Sequence, residues 1–229
     1  MATHFLVTNW TTDREPESKL SLSECSFYGI LDTGYVSPSN WSQKYRDLVK
    51  GGAGIIQIRA KNESREERES LLVQILEIRS QSPEAQPPLI LNDDIDLCLR
   101  YPNVGLHIGQ EDTPAIEARR RLGQNRILGL STHSIQQAKQ VMDLPEGTLD
   151  YFAVGPVFAT QTKPSYIPVG LELVQWVDQQ SPKLPFFCIG GINRGNLDEV
   201  KKAGGSRVVA VSDPLLAKDT AAAVEEYTR

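Results

Sequence analysis

The sequence predicts an α/β fold, a single-domain (β/α)8 TIM barrel. From Phe27 onward, eight short apolar runs alternate with amphipathic or polar stretches of helical length. Strands that alternate with helices indicate a parallel sheet, and nearly continuous apolar runs are typical of strands buried on both faces. An open doubly wound sheet is the alternative. It commonly has fewer strands and a glycine-rich first turn, which the segment "LDTGYVSP" does not match.

Each strand is predicted from an apolar run that ends in a polar residue or a glycine. In chain order the strands are FYGILD, GIIQIR, PLILND, VGLHIG, RILGLS, DYFAVG, PFFCIG and RVVAVS. The stretches between them predict helices at Trp41–Lys50, Ser64–Ser80, Asp94–Arg100, Pro114–Arg121, Ile135–Met142, Leu171–Gln179 and Asn196–Ala203, and from Pro214 onward. Eight such units in about 200 residues suit a compact barrel.

The start of the chain differs from the rest. The segment "TTDREPESKLSLSE" is polar and has no clear period. Chain termini of this composition are commonly poorly ordered. We therefore expect a flexible N-terminal extension over residues 1–25 and a TIM-barrel domain over residues 26–229.

The composition argues against several classes of protein. Lysine and arginine number 24, aspartate and glutamate 29, and the net charge is −5, whereas nucleic-acid-binding domains are normally basic. The three cysteines, Cys25, Cys98 and Cys188, are widely spaced and match no disulfide framework or metal motif. No apolar run approaches a membrane span, and the first residues make a poor signal peptide. We expect a cytoplasmic protein without nucleic-acid or membrane partners; a homo-oligomer stays open.

Polar side chains cluster where the predicted strands end. In such barrels the carboxyl ends of the strands and the loops after them form the active face. The residues at these places are Arg59, Lys61, Asn92, Asp93, Gln110, Asp112, Ser131, Thr132, His133, Thr160, Thr162, Lys163, Gly190, Gly191, Val211 and Ser212. Because the strand bodies stay apolar, the pattern predicts one functional rim.

Two anion-binding zones are predicted on that rim. Gly190, Gly191 and Ser212 follow the seventh and eighth strands, where these barrels often bind phosphate, although a plain glycine turn and a helix cap would give the same residues.

The second zone places Arg59, Lys61 and Lys163 opposite Asp93 and Asp112. This set suits a Mg²⁺–pyrophosphate group, with ion pairing alone as the alternative. His107 and His133 are either general bases or locally hydrogen-bonded side chains.

The chain resembles the thiamine-phosphate synthase family, also called thiamine-phosphate pyrophosphorylase. The matching motifs, in the family's order, are GIIQIRAK, LILNDDIDL, GLHIGQED, GLSTHS, DYFAVGPVFATQTK, FFCIGGIN and VVAVSDPL. The resemblance implies a transferase that couples hydroxymethylpyrimidine pyrophosphate with hydroxyethylthiazole phosphate, giving thiamine phosphate and pyrophosphate by a dissociative, Mg²⁺-assisted mechanism.

The resemblance also implies roles for individual residues. Gln57, Arg59, Lys61 and Asn92 would hold the pyrimidine pyrophosphate, with Ser131 near the pyrimidine and Lys163 on the pyrophosphate; Arg59, Lys61, Ser131 and Lys163 would be catalytic. Asp93 and Asp112 would bind Mg²⁺, and Thr160, Thr162, Gly191, Val211 and Ser212 would hold the thiazole phosphate.

Two positions depart from the family pattern. Ala60 stands where an acidic or amide residue is common, and Asp213 where a small residue is common. A carboxylate at position 213 would be unfavourable beside a phosphate unless it points away. Two alternative functions stay open: a relative that isomerises the thiazole phosphate, and a non-catalytic barrel that binds thiamine phosphate.

Overall fold

The computed structural model describes residues 22–84, 86–162 and 167–229. Its strands form a closed barrel in chain order. They are β1 (Phe27–Asp32), β2 (Ile55–Arg59), β3 (Leu89–Asn92), β4 (Val104–Ile108), β5 (Leu128–Thr132), β6 (Tyr151–Val154), β7 (Phe186–Ile189) and β8 (Val208–Ala210). All neighbouring strands pair in parallel, and β8 closes the ring against β1. The predicted (β/α)8 barrel is confirmed.

The helices follow the strands and cover the outside of the barrel. They are α1 (Trp41–Lys50), α2 (Arg65–Gln81), α3 (Ile95–Leu99), α4 (Ala115–Leu122), α5 (Ile135–Met142), α6 (Gly170–Gln179), α7 (Leu197–Lys202), α8 (Ser212–Leu216) and α9 (Thr220–Thr228). A short 3-10 helix, Pro38–Asn40, precedes α1.

Local side chains set the helix ends. The hydroxyl of Ser64 accepts a hydrogen bond from the Glu67 amide, and the Glu67 carboxylate accepts one from the Ser64 amide, so α2 begins with a capping box. The helix predicted from Pro214 onward is divided in two. Ala217 is extended, and the side chain of Asp219 then caps a new helix.

Strand side chains alternate between two cores. In β1, Phe27 and Leu31 face the helices, whereas Tyr28 and Ile30 point into the barrel. The inner cluster is formed by Tyr28, Ile30, Ile55, Ile90, Tyr151, Phe187 and Val209. Since side chains alternate along a strand, the inward positions of β2 are Ile55, Gln57 and Arg59. Polarity inside the barrel therefore rises toward the carboxyl ends of the strands.

The residues just before β1 lie at the opposite end of the barrel. Leu22 and Cys25 pack against the inner cluster, and the Arg207 guanidinium donates to the Ser23 carbonyl over 2.8 Å. Residues 1–21 of the predicted extension lie outside the described residues. All three cysteines are free thiols. Within the described ranges, the structure has no helix with the length and hydropathy needed to cross a membrane.

Candidate active site

A cavity opens at the carboxyl ends of the strands. Most of the site residues predicted from the sequence line it: Gln57, Arg59, Asn92, Asp93, Ser131, Thr160, Thr162, Gly191, Val211 and Ser212. The chain brings them from six strands or their following loops. Lys61 and Asp112 adjoin the cavity through Asp93 and Gly109, while Lys163 lies outside the described residues.

We call the opening of this cavity the mouth. Arg59 is held there by Asp32, which ends β1. The Arg59 guanidinium donates to the Asp32 carboxylate over 2.6 Å. Asp32 is buried, and its second oxygen accepts the Gly34 amide at 2.9 Å. A charge-assisted hydrogen bond of this length restricts the guanidinium. Arg59 is therefore fixed with its remaining donors available at the mouth.

A second ion pair joins the loops after β2 and β3. The Lys61 ammonium lies 2.9 Å from the Asp93 carboxylate. Asp93 has φ 65°, in the left-handed region that aspartate tolerates better than most residues. This conformation turns the chain from β3 directly into α3, where Asp94 is the N-cap. Lys61, predicted to bind the pyrophosphate, and Asp93, predicted to bind the metal, are thus in direct contact.

Asp93 and Asp112 differ in their acidity. Burial alone would raise the pKa of Asp93, but the hydrogen bonds and charges around the carboxylate, led by those of Lys61, together lower it. The pKa of Asp112 is raised, first by burial and further by the negative charge of Asp93, although the Gly109 amide opposes this by donating over 2.6 Å. The two carboxylates therefore repel each other in the ionised state, and a cation between them would relieve the repulsion.

The pair suits magnesium better than a transition metal. Among the residues that the structure describes, no three histidine, cysteine, aspartate or glutamate side chains are grouped to hold a metal ion. Mg²⁺ needs only one or two carboxylates from the protein, because water and phosphate oxygens complete its octahedron. Asp93 and Asp112 are such a donor set.

Below the mouth, polar side chains inside the barrel form a continuous chain of hydrogen bonds. Gln57 Nε2 donates to the Tyr28 hydroxyl over 2.7 Å, and that hydroxyl lies 2.9 Å from the hydroxyl of Tyr151. The Tyr151 hydroxyl lies 2.9 Å from His107 Nδ1, and His107 Nε2 lies 2.9 Å from Ser131 Oγ. Burial raises the pKa of both phenols, so both are protonated.

The other side of the cavity is built from glycine backbone. Gly190 and Gly191 have φ values of 103° and 64°. A Cβ on Gly190 would lie 2.4 Å from Pro156, and one on Gly191 would lie 2.5 Å from the Ala159 carbonyl oxygen. The loops after β6 and β7 can therefore pack together only with glycine at both positions.

Two threonines complete this side. The Thr162 amide donates to Thr160 Oγ1 over 3.2 Å, and Thr162 Oγ1 lies 2.9 Å from the Tyr35 hydroxyl. Tyr35 belongs to the loop after β1, so this contact spans the mouth. The two hydroxyls and the glycine backbone face the same cavity.

The unusual Asp213 does not intrude on this pocket. Its carboxylate accepts hydrogen bonds from Arg194 over 2.9 Å and from the Tyr227 hydroxyl over 2.7 Å. Asp213 lies in the first turn of α8. Its charge is therefore satisfied by neighbouring helices and loops.

Ala60 faces away from the mouth. Its side chain belongs to the core between the sheet and the helices, and its carbonyl accepts a hydrogen bond from Arg68 Nε over 3.0 Å. Arg68 also binds the Asp94 carboxylate over 2.8 Å. The segments that carry Lys61 and Asp93 are thus tied together without a polar side chain at position 60.

His107 and His133 are both hydrogen-bonded locally. His107 is buried in the barrel, and His133 Nδ1 donates to the Gly155 carbonyl. Both line the cavity.

Sequence reasoning missed Asp32, Tyr35 and Tyr151. A strand-end signal was available for Asp32, which ends its strand as Asn92 does. Tyr151 gave no signal, because an aromatic residue in an apolar run predicts only packing.

A family model described as thiamine monophosphate synthase matches residues 27–213. A thiamine-phosphate synthase from Caldicellulosiruptor bescii is 37% identical over 91% of this chain and 93% of its own length. One from Chloroflexus aurantiacus is 34% identical, covering 87% of this chain and 89% of the relative. The solved structure of a thiamine phosphate pyrophosphorylase from Pyrococcus furiosus superposes with a TM-score of 0.76 at 27% identity, covering 90% of this chain and 94% of that one. The chain therefore belongs to the thiamine monophosphate synthase family of transferases.

Proposed function

We propose that this barrel couples 4-amino-5-hydroxymethyl-2-methylpyrimidine pyrophosphate with hydroxyethyl-methylthiazole phosphate to give thiamine phosphate and pyrophosphate. The observation that carries the proposal is the arrangement of the mouth. A cationic and carboxylate-lined side, which holds Arg59, Lys61 and Asp93, shares one cavity with a glycine-lined side at Gly190 and Gly191. The substrates of the reaction are likewise two anions whose reacting atoms must meet.

Charge neutralisation is the main task of the first side. When ionised, Asp32, Asp93 and Asp112 carry three negative charges against the two positive charges of Arg59 and Lys61. This balance opposes the binding of a pyrophosphate unless additional positive charge is supplied. We propose that Asp93 and Asp112 hold Mg²⁺, which supplies that charge to the pyrophosphate when bound, and that Lys163 adds to it.

The reaction breaks the bond between the pyrimidine methylene carbon and the pyrophosphate oxygen, which keeps the electron pair. The methylene becomes a cation delocalised over the aminopyrimidine, and the thiazole nitrogen donates its lone pair to form the new C–N bond. Such a path requires aligned substrates and a stabilised leaving group, and no side-chain nucleophile. Arg59, fixed by Asp32, and Lys61 bind the leaving group, and Gln57 and Ser131 hold the pyrimidine.

The second side holds the thiazole phosphate. Thr160 and Thr162 supply hydroxyl donors, and the backbone at Gly191, Val211 and Ser212 lines the same cavity. Glycine allows backbone N–H groups to approach phosphate oxygens closely. The phosphate would anchor the thiazole so that its nitrogen faces the pyrimidine methylene.

A coupling assay tests the proposal. The protein is mixed with both substrates and Mg²⁺, and pyrophosphate and thiamine phosphate are measured together. We expect stoichiometric release of both products, dependent on Mg²⁺. Isomerisation of the thiazole phosphate without release would indicate the tautomerase alternative. Tight binding of thiamine phosphate without turnover would indicate a non-catalytic binding protein.

Lys163→Ala provides a sharper version of this assay. If Lys163 binds the leaving group, turnover falls by roughly ten-fold or more, equivalent to about 1.4 kcal/mol, and the KM for thiazole phosphate changes little. If turnover and the affinity for thiazole phosphate fell by the same factor, the division of the cavity into two sides would be contradicted.

A further inference from the structure

The buried hydrogen-bond chain inside the barrel has two ends in the substrate cavity. Gln57 and Ser131 line the cavity, as do their neighbours Tyr28 and His107. Tyr151 is fully buried and connects the two halves, since its hydroxyl lies 2.9 Å from both the Tyr28 hydroxyl and His107 Nδ1. This series of hydrogen bonds therefore links Gln57 and Ser131, which line the cavity, through Tyr151, which does not.

The position of Tyr151 is fixed by packing. A Cβ on Gly129 would lie 2.1 Å from Tyr151 Cζ, so the ring occupies the space that glycine leaves inside the barrel. The ring also stacks on His107, with centroids 5.6 Å apart, and meets Phe187 edge to face at 5.4 Å. Tyr151 cannot turn its hydroxyl elsewhere without disturbing this layer.

The directions of the hydrogen bonds along the chain are coupled. Each phenol and the serine hydroxyl has one proton and can donate once, and a neutral imidazole donates from one nitrogen and accepts at the other. If Gln57 donates to Tyr28, and each buried hydroxyl uses its proton within this series of hydrogen bonds, then Tyr28 donates to Tyr151 and Tyr151 to His107 Nδ1. His107 Nε2–H then donates to Ser131. One choice at Gln57 therefore determines every later donor.

This direction determines which hydrogen-bond donors and acceptors Gln57 and Ser131 present to the cavity. Gln57 uses its amide nitrogen on Tyr28, so it presents its carbonyl oxygen, an acceptor. Ser131 accepts from His107, so its own proton is free to be donated. In the opposite direction all roles reverse: Gln57 presents N–H donors and Ser131 presents only lone pairs.

We propose that the Gln57–Tyr28–Tyr151–His107–Ser131 chain selects a 4-aminopyrimidine over a 4-oxopyrimidine, and that Tyr151 is the positioning residue that couples its two ends. This inference rests on the proposed function. An aminopyrimidine offers an N–H donor beside a ring-nitrogen acceptor, which the first direction complements. A 4-oxopyrimidine offers an acceptor beside a ring N–H and requires the reversed direction, in which the Gln57 amide must also rotate.

The kinetic test compares the 4-amino substrate with its 4-oxo analogue, each as the pyrophosphate. The ratio of their kcat/KM values is measured for the unchanged protein, for Tyr151→Phe and for the control Tyr45→Phe. Tyr45 is likewise buried and hydrogen-bonded through its hydroxyl, but it belongs to α1, and its hydroxyl binds Arg79 of α2 and Gln86. We expect Tyr151→Phe to lower the amino-to-oxo ratio at least ten-fold with little change in the KM for thiazole phosphate, and Tyr45→Phe to leave the ratio unchanged.

A ratio for Tyr151→Phe within two-fold of the unchanged protein would overturn the inference. Failure of the unchanged protein to form thiamine phosphate from the 4-amino substrate would instead overturn the proposed function. Should Tyr151→Phe not fold, Tyr28→Phe interrupts the same chain one link from Gln57, and the same loss of discrimination is expected.

The imidazole tautomer gives a second readout that does not depend on activity. The chain has 3 histidines, so ¹⁵N-labelled imidazole signals can be resolved. With the 4-aminopyrimidine pyrophosphate bound, His107 should be neutral and protonated on Nε2. A neutral ring protonated on Nδ1, or an imidazolium, would contradict the proposed direction.

Discussion

Replacement of Asp32 by asparagine tests the buried ion pair on which the position of Arg59 depends. Asparagine has the same shape and keeps an oxygen for the Gly34 amide, which donates over 2.9 Å. It removes the negative charge of the carboxylate, one oxygen of which accepts a hydrogen bond from the Arg59 guanidinium over 2.6 Å. The substitution therefore isolates the charge of the carboxylate from its packing.

The magnitude follows from the burial of the pair. The side chains of Arg59 and Asp32 are 13% and 2% exposed. Removing one partner of a buried ion pair costs about 3–5 kcal/mol. The open mouth hydrates part of the guanidinium, which places the expected loss of unfolding free energy near the lower limit, at about 3 kcal/mol. In a chain of this size that loss lowers Tm by roughly 6–12 °C.

Urea unfolding of Asp32→Asn, Arg59→Gln and the double variant measures the coupling directly. We expect the double variant to lose at least about 1.5 kcal/mol less than the sum of the single variants, because one interaction is removed twice in that sum. Asp47→Asn is the control, since the Asp47 carboxylate lies on the surface and accepts an exposed hydrogen bond from Gln43. If the losses of the two single variants were additive, or if Asp32→Asn lost no more than Asp47→Asn, the ion pair would not stabilise the barrel.

Three further outcomes are expected. Gly129→Ala should destabilise the protein by about 3 kcal/mol in urea unfolding, because the new methyl group would overlap the ring of Tyr151. Asp93→Asn should raise the Mg²⁺ concentration for half-maximal turnover about ten-fold, or about 1.4 kcal/mol, since one carboxylate ligand is lost. Stability should fall as the pH rises above about 9: burial raises the pKa of the Cys98 thiol from 9.0 to about 11, so the unfolded chain loses this proton first.

Each outcome has its control. A Cβ on Gly29 would lie 3.1 Å from the flexible end of Leu48, so Gly29→Ala should cost less than Gly129→Ala; equal losses would contradict the packing argument. Asp96 is exposed and pairs with Arg121, so Asp96→Asn should leave the Mg²⁺ titration unchanged. An unchanged titration in Asp93→Asn would rule out its ligand role. Cys98→Ala should remove part of the alkaline loss; no change in slope would exclude this thiol.

The barrel could be predicted because each strand is a separate apolar run. β1 extends over Phe27–Asp32, as the segment FYGILD predicts, and α1 over Trp41–Lys50. The errors lie where a short contact decides the boundary. The break before α9 depends on the cap at Asp219, which an unbroken run of helix-forming residues does not reveal.

The rim of the site could be predicted because topology alone brings strand ends together. The partner of each rim residue could not, since it depends on contacts between distant segments. Asp32 and Arg59 are separated by 27 positions, and Tyr28 and Tyr151 by 123. The placement of Ala60 could not be predicted either, because the sequence does not show that its side chain points toward the helices and away from the mouth.

A crystal structure with Mn²⁺ in place of Mg²⁺ and with pyrophosphate would test the arrangement of the mouth, because the anomalous signal locates the metal. We predict one anomalous peak in contact with the carboxylates of Asp93 and Asp112, bridging to a pyrophosphate that also binds Arg59 and Lys61. A metal bound away from both carboxylates, or pyrophosphate held only at Gly190 and Gly191, would show that the mouth does not combine a metal–pyrophosphate side with a separate phosphate side.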